Sequence, residues 1–465
     1  MKLQERYKRL KHYLSEENPI LLEVTQKYES LDKIGHKTGL LEVEDSYTSD
    51  ISWWPLISIL GTFSAGKSTF INNYVDDRVQ VSGNQAVDDK FTAICYGHND
   101  TVTTLPGMAL DADPRFPFYN ISDEVNKVDA GEGNRVNLYL QLKTVKSDAL
   151  KGKILVDSPG FDADSQRDSI LRITSHMIDM SDLVLIFFDA RHPEPGAMRD
   201  TLDHLVKSAM QHADADKVLY ILNQIDTTAK EDNLEDVIGA WQRAMAQKGL
   251  VAGHFYTIYN ESSATPIDDP ALRERLKKKK DHDLGTILNR MDKVSTERSY
   301  RIVRTLEDIS KDLKDEKLPL VHDALKSWSK KVLLTDAVLF GLIFIAIAVL
   351  QIKFDILTMS TLSMGISGFM AVIFGLYLHL SIRKIMTHFV AKKWENRDPN
   401  IARSIRHNTR WWKSLLGPLF KSWGKQNKRK LEILIEQSKL TIQELNDQFI
   451  NPSGVKSPET KVEDS

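Results

Sequence analysis

Lys67 and Ser68 stand side by side at the end of the octapeptide GTFSAGKS, which begins at Gly61. The spacing is G-x-x-x-x-G-K-[ST], and each defined position has a physical task. Gly61 and Gly66 permit the tight backbone path that aims successive amides at one anion. Lys67 supplies a point charge for the β- and γ-phosphates of a nucleotide, and the Ser68 hydroxyl is an oxygen ligand for Mg2+. The apolar run Leu56–Leu60 leads into the turn and STFINNYV follows with helical spacing, so a helix N-terminus adds its unpaired amides and dipole. The candidate phosphate-binding residues are therefore Gly61, Ser64, Ala65, Gly66, Lys67, Ser68 and Thr69.

Two later strand ends extend this chemistry. GKILVDSPGF is an apolar run ending in Asp157, followed by Ser158-Pro159-Gly160. An acid at such a strand end holds Mg2+, often through water, and the Gly160 amide is placed to meet the γ-phosphate. KVLYILNQID ends in Asn223-Gln224-Ile225-Asp226, which resembles the N-K-x-D motif that reads guanine in GTPases. In that motif the aspartate accepts hydrogen bonds from the base. Gln224 replaces the usual lysine, so weaker packing against the base is expected. YTIYNESSA, around Ser262–Ala264, is the candidate loop for closing over the base.

Elements able to position these residues follow from hydrophobic patterning. LISIL, RVNLYLQL, KILVD, DLVLIFFDA, KVLYIL and HFYTIY read as strands separated by helical stretches, the α/β pattern of a nucleotide-binding sheet. Residues 1–50 read as two helices broken at Asn18-Pro19, and residues 266–331 read as helical again. KLEILIEQSKLTIQELNDQF, Lys430–Phe449, is a strongly amphipathic helix. The expected fold class is an α/β P-loop GTPase domain over 51–265, flanked by an α-helical bundle or stalk (1–50 and 266–331). A two-helix transmembrane hairpin (332–382) and a basic, aromatic membrane-proximal segment with a returning helix (383–450) follow. The tail, 451–465, has the composition of a disordered segment.

The hairpin rests on Val332–Ile352 and Ile356–Leu380, each long and apolar enough to span a bilayer. Ser363, Ser367, Ala371 and Gly375 recur every fourth residue on the second span, a small-residue stripe that Ala337 and Gly341 of the first are expected to meet. Lys326, Lys330 and Lys331 precede the hairpin and Arg383, Lys384, Lys392 and Lys393 follow it. Both termini and the nucleotide domain are therefore expected on the cytoplasmic side.

The formal net charge of −2 hides fourteen Lys/Arg against two acids between Ser381 and Lys430. With Trp411, Trp412, Phe420 and Trp423 interleaved, this block suits the headgroup level of an anionic membrane, or a solvated bundle face with buried tryptophans. Nucleic acid is not the expected partner. Hydrophobic content of 42% with 27% charge describes a globular chain, and the single cysteine, Cys95, excludes an internal disulfide. The charged opening MKLQERYKRLKHYLSEENP does not read as a signal peptide. Two spans with one acid near an edge provide no transport path.

The sequence resembles the dynamin superfamily, most closely its EHD-type (EH-domain-containing) members. The likeness is carried by Ser64 before Ala65-Gly66-Lys67, DKFTAICYG (Asp89–Gly97), LPGMALDADPRFPF (Leu105–Phe118), DSPGFDADSQR, SDLVLIFFDARHPE and VIGAWQRAMAQKG. It implies nucleotide-dependent self-assembly on membranes, with hydrolysis stimulated when nucleotide domains meet. It also implies that Ser64 is the loop serine that positions the attacking water or a bridging ion. Two departures stand out. No EH domain is expected among the residues that follow, and a hairpin like that of mitofusin-like members is expected where such proteins touch lipid. The family's switch loop carries P-T-T-D, but Ala86-Val87-Asp88-Asp89 occupies the matching positions, with Thr92 close by. A carboxylate there would repel the γ-phosphate. The resemblance leaves GTP and ATP both open as the nucleotide, and leaves open a hydrolysing enzyme or a nucleotide-switched scaffold with little turnover.

Overall fold

Runs of apolar residues without alternation need cover on both faces, and the central strands of the computed structural model have it. The structure describes residues 3–81, 90–113, 116, 118, 121–122, 126, 131–160, 167–192, 217–247, 253–354, 361–411 and 420–449. The chain forms two units, Ser49–Arg301 and a second made from the residues before and after it.

Within Ser49–Arg301 one sheet contains β1 (Leu56–Gly61), β2 (Phe91–Tyr96), β3 (Thr103–Pro106), β4 (Leu140–Val145), β5 (Ile154–Asp157), β6 (Leu183–Asp189), β7 (Val218–Asn223) and β8 (His254–Thr257). Their order is β3-β4-β2-β5-β1-β6-β7-β8. β1 runs parallel to both β5 and β6, with Ile59 opposite Asp157 and Gly61 opposite Phe187. β2 is antiparallel to β5, and β3 antiparallel to β4. All residues of β1, β6 and β7 are buried. The edge strand β3 is short, largely exposed and ends in proline, features that blunt an open edge.

Four helices of this unit matter below: α3 (Lys67–Val75), α4 (Arg167–Met180), α5 (Leu234–Gln247) and α6 (Pro270–Asp312), the last of which crosses the boundary between units. Trp241 of α5 is fully buried against β6 and β7, whereas Ile287, Met291 and Val294 of α6 join the cluster containing Ile57 and Ile59. The fully buried Asp182 fixes the start of β1. Its Oδ2 accepts the Leu56 amide at 2.9 Å, and its Oδ1 accepts Arg298 at 3.1 Å and Arg301 at 2.7 Å.

Several expectations are corrected. RVNLYLQL is strand only from Leu140, where its pairing with β2 begins opposite Phe91. Val136–Tyr139 is a helical turn, and Asn137 Oδ1 accepts the Met108 amide at 2.9 Å. HFYTIY is strand only to Thr257. β2 and β3 were not anticipated.

The second unit is helical: α1 (Leu3–Glu17), α2 (Pro19–Thr38), α7 (Leu318–Phe354), α8 (Thr361–Glu395), α9 (Pro399–Asn408) and α10 (Phe420–Phe449), with a π-turn at Leu313–Lys317. The break at Asn18-Pro19 is an N-cap: Asn18 Oδ1 accepts the Leu21 amide at 3.1 Å and proline takes the first helical position. Asp398-Pro399 repeats the device at α9. α10 begins ten residues before the expected Lys430.

α7 and α8 are long and apolar enough to cross a membrane, and few residues of their apolar windows are buried. Phe344 is 73% exposed and Ile352 83%. A Cβ added at Gly375 would lie 3.6 Å from Phe340, so the small-residue stripe meets the other helix there. Among the described residues nothing lies within 4 Å of a Cβ added at Gly341, so that position does not join the contact. Residues 355–360, the segment 412–419 with Trp412, and the tail 451–465 lie outside the described residues.

Candidate functional site

The phosphate turn is shaped by close backbone approaches that only glycine tolerates. Gly61 leaves β1 with φ +156°, and a Cβ there would sit 2.5 Å from the Phe187 carbonyl oxygen of β6. Gly66 has φ +85°, and a Cβ would strike Asn223 Nδ2 at 2.1 Å. Between them Ser64 adopts a left-handed conformation, φ +58°, uncommon for a residue with a side chain. α3 then begins at Lys67, with Ser68 and Thr69 in its first turn.

Lys67 is buried, and its Nζ donates to the Gly61 and Thr62 carbonyls at 2.9 and 3.1 Å. Its ammonium is thus held within the turn. Ala65 is fully buried, and its carbonyl accepts Asn223 Nδ2 at 2.9 Å. The Ser64 carbonyl accepts Gln224 Nε2 at 2.6 Å. Asn223 and Gln224, which open the motif resembling the guanine-reading one, thus also brace the phosphate turn. Gln224 can do this as a neutral donor in place of lysine.

Asp226 is buried, and its Oδ2 accepts the Thr265 amide at 2.7 Å, which fastens the strand end to the segment following Ser262–Ala264. Just before Thr265 lies a 3-10 turn, Glu261–Ser263, capped by Asn260. Glu261 meets Lys280 of α6 at 2.7 Å, and this hydrogen bond holds the Glu261 carboxyl below its ordinary range. Burial opposes the charge on Lys280, but bonds to Asp281 and Glu261 outweigh it and keep the ammonium above its usual range. A cleft of about 230 Å³ opens here, lined by Gly66, Thr69, Asn223, Tyr259 and Lys280 among others. A larger cleft, about 650 Å³, lies at the opposite ends of β7 and β8 around Lys217, His254 and Arg290, and includes no phosphate-turn residue.

Asp157 ends β5 beside β1, and the Ser158 amide donates to the Ile59 carbonyl at 3.0 Å. Gly160 lies against the phosphate turn, where an added Cβ would meet Phe63 at 3.1 Å. The Ser158 hydroxyl is buried without a hydrogen-bond partner among the described residues, which suits a site completed by a polar ligand. The donor set fits Mg2+: Ser68 and Asp157 offer hard oxygens, and a cation completed by phosphates and water needs no dedicated protein cage. No cluster of three or more His, Cys, Asp or Glu suited to a metal occurs among the described residues.

Thr92 stands opposite Asp157 within the sheet, and its hydroxyl accepts Gln141 Nε2 at 2.8 Å. The Ala86–Asp89 segment lies outside the described residues. Two participants had no sequence signal. Gln80 and Lys143 are buried and connect to Asp157, although Gln80 belongs to no motif and Lys143 lies mid-strand on β4.

Residues 57–225 match the model of the Dynamin family. The chain is 25% identical over 233 residues to human EH domain-containing protein 2, covering 46% of this chain and 39% of that protein. It is 26% identical over 181 residues to Bos taurus EH domain-containing protein 1, covering 37% and 31%. The matches thus span about two fifths or less of these relatives' lengths. A solved structure described as an oligomerised bacterial dynamin pair for long-range sensing and tethering of membranes aligns with 96% of this chain and 78% of that one. Its identity is 13% and its TM-score 0.32.

Proposed function

We propose that this chain, whose residues 57–225 match the Dynamin family and which is similar to human EH domain-containing protein 2, is a membrane-anchored dynamin-like nucleoside triphosphatase coupling nucleotide-dependent self-assembly to membrane remodelling, tethering or fusion. The supporting observation is one juxtaposition. A glycine turn holding Lys67 at a helix N-terminus lies beside Asp157, in a chain whose α7 and α8 leave their apolar side chains exposed.

In this reading Lys67 moves from the turn carbonyls to the β- and γ-phosphates, while the amides from Gly61 to Thr69 surround the anion. Ser68 and Asp157 would hold Mg2+, which would supply positive charge against the nucleotide phosphates. The Gly160 amide meets the γ-phosphate and Ser64 orients the attacking water. Asp226 reads the base, with GTP the expected nucleotide and ATP the alternative. Catalysis of this kind is positioning and charge stabilisation, so no single general base is required.

The α7–α8 hairpin anchors the protein, with both termini and the nucleotide domain on the cytoplasmic face. The basic stretch after α8 meets anionic lipid. A second reading, a nucleotide-switched scaffold, is favoured by Ala86-Val87-Asp88-Asp89, which lacks the switch threonine.

The test is steady-state hydrolysis of GTP and ATP by the full-length protein in liposomes and in detergent, beside Lys67→Ala. Turnover above the control that rises on liposomes is expected. Tight nucleotide binding with turnover no greater than the control's would select the scaffold.

A further inference from the structure

Asp157 is gripped from the side of the sheet. Gln80 Nε2 donates to Asp157 Oδ2 at 2.5 Å, and Gln80 Oε1 accepts Lys143 Nζ at 2.6 Å. Gln80 is 2% exposed, Asp157 4% and Lys143 8%, so this chain of polar groups lies out of bulk water. An amide can face a carboxylate with its oxygen or with its NH2 group. With the oxygen held by an ammonium, only the donor side is left for Asp157. Lys143 also donates to the Val79 carbonyl at 3.2 Å, which fixes the backbone carrying Gln80.

That backbone is also tied to the helix behind the phosphate turn. Asn72 of α3 donates through Nδ2 to the Gln80 carbonyl at 2.8 Å, and its Oδ1 accepts the Val79 and Gln80 amides at 3.0 and 2.8 Å. Gln80 is therefore held by α3 and by β4, and its side chain is aimed at the acid ending β5. A buried amide with its flip fixed orients the carboxylate it touches.

We propose that Gln80 and Lys143 are positioning residues that orient Asp157 for Mg2+-dependent nucleotide binding. The proposal rests on the assignment of Asp157 to the cation. Charge alone argues the other way: a buried ammonium near a cation site opposes Mg2+, so its removal by itself would strengthen metal binding. Loss of orientation weakens it. The sign of the change in a Lys143 variant therefore separates the two effects.

The experiment follows dissociation of a fluorescent guanine or adenine nucleotide from the full-length protein across a Mg2+ titration and in EDTA. Gln80→Leu and Lys143→Met are each expected to raise the half-saturating Mg2+ concentration about tenfold or more, the usual cost of losing an outer partner of a metal ligand. Dissociation in EDTA should stay within about twofold of wild type, a split that general loosening of the fold would not produce. If Gln80→Leu fails to fold, Lys143→Met, which keeps the aliphatic stem, carries the test. An unchanged Mg2+ midpoint in the folded variants, or a lower one in Lys143→Met, overturns the proposal. If Asp157→Ala leaves the wild-type Mg2+ midpoint unchanged, the assignment of Asp157 is wrong and the proposal falls with it.

Discussion

Gln224 Nε2 donates to the Ser64 carbonyl at 2.6 Å, joining two residues 160 positions apart. The residue standing in place of a base-packing lysine thus supports the left-handed residue of the phosphate turn. A hydrogen bond of this kind contributes about 1 kcal/mol net. Gln224→Ala should weaken nucleotide binding about fivefold for GTP and ATP alike, whereas a base-packing role would affect one base more. Equilibrium titration with both nucleotides measures the difference.

Asp226 offers the complementary case, because its carboxylate accepts from Thr265 and lies in the motif expected to read the base. Asp226→Asn puts a donor where an acceptor stood. Charged hydrogen bonds contribute about 1.5–3 kcal/mol, so GTP affinity should fall by about tenfold or more. ATP affinity should change little. Equal losses for both nucleotides would show that Asp226 serves only to hold the Thr265 segment.

Gly66 and Gly152 separate strain from collision. Both have positive φ, +85° and +69°, but a Cβ at Gly66 meets Asn223 at 2.1 Å and one at Gly152 meets nothing within 4 Å. Gly152→Ala should cost about 1–2 kcal/mol from backbone conformation alone and leave nucleotide affinity intact. Gly66→Ala should cost more and abolish nucleotide binding by pushing Asn223 off the Ala65 carbonyl. Thermal melts with and without nucleotide compare the two variants.

Asp398 gives a prediction with a pH sign. It caps α9 by accepting the Asn400 and Ile401 amides and pairs with Lys317. Burial alone would raise its pKa, but Lys317 and the two amides outweigh that and hold the carboxyl below its ordinary range. A depressed carboxyl stabilises the fold above its unfolded pKa, near 4, and loses that contribution as pH falls through the lower folded value. Asp398→Ala should therefore cost about 1 kcal/mol at neutral pH, and the gap to wild type should close below about pH 4. Urea unfolding at several pH values reads it.

How much of this was visible beforehand depends on how local each feature is. The phosphate turn, the Asp157 strand end and the Asn18-Pro19 break are each set by a few adjacent residues, and their spacing is their signature. β2 was missed because FTAICY sits beside the unusual Ala86–Asp89 stretch and carries no clean alternation. Val136–Tyr139 looked like strand because its apolar residues alternate, whereas the pairing with β2 begins only at Leu140, opposite Phe91. Gln80 and Lys143 were invisible for a stronger reason. They lie 77 positions before and 14 positions before Asp157, and polar residues in such places ordinarily mean solvent. Only the packed sheet brings them together.

The hairpin reading can be separated from a water-exposed helix pair by two substitutions. Leu342 and Ile345 of α7 are 60% and 59% exposed. In a bilayer, aspartate at the middle of a span costs about 3 kcal/mol per residue, so Leu342→Asp with Ile345→Asp should oppose insertion by about 6 kcal/mol. The doubly substituted protein should then leave the membrane fraction under alkaline carbonate, whereas the wild type stays. On helices facing water the same changes would remove exposed apolar surface and raise solubility, while carbonate would release wild type and variant alike. Sedimentation after the carbonate wash, read for both proteins, decides whether lipid covers α7.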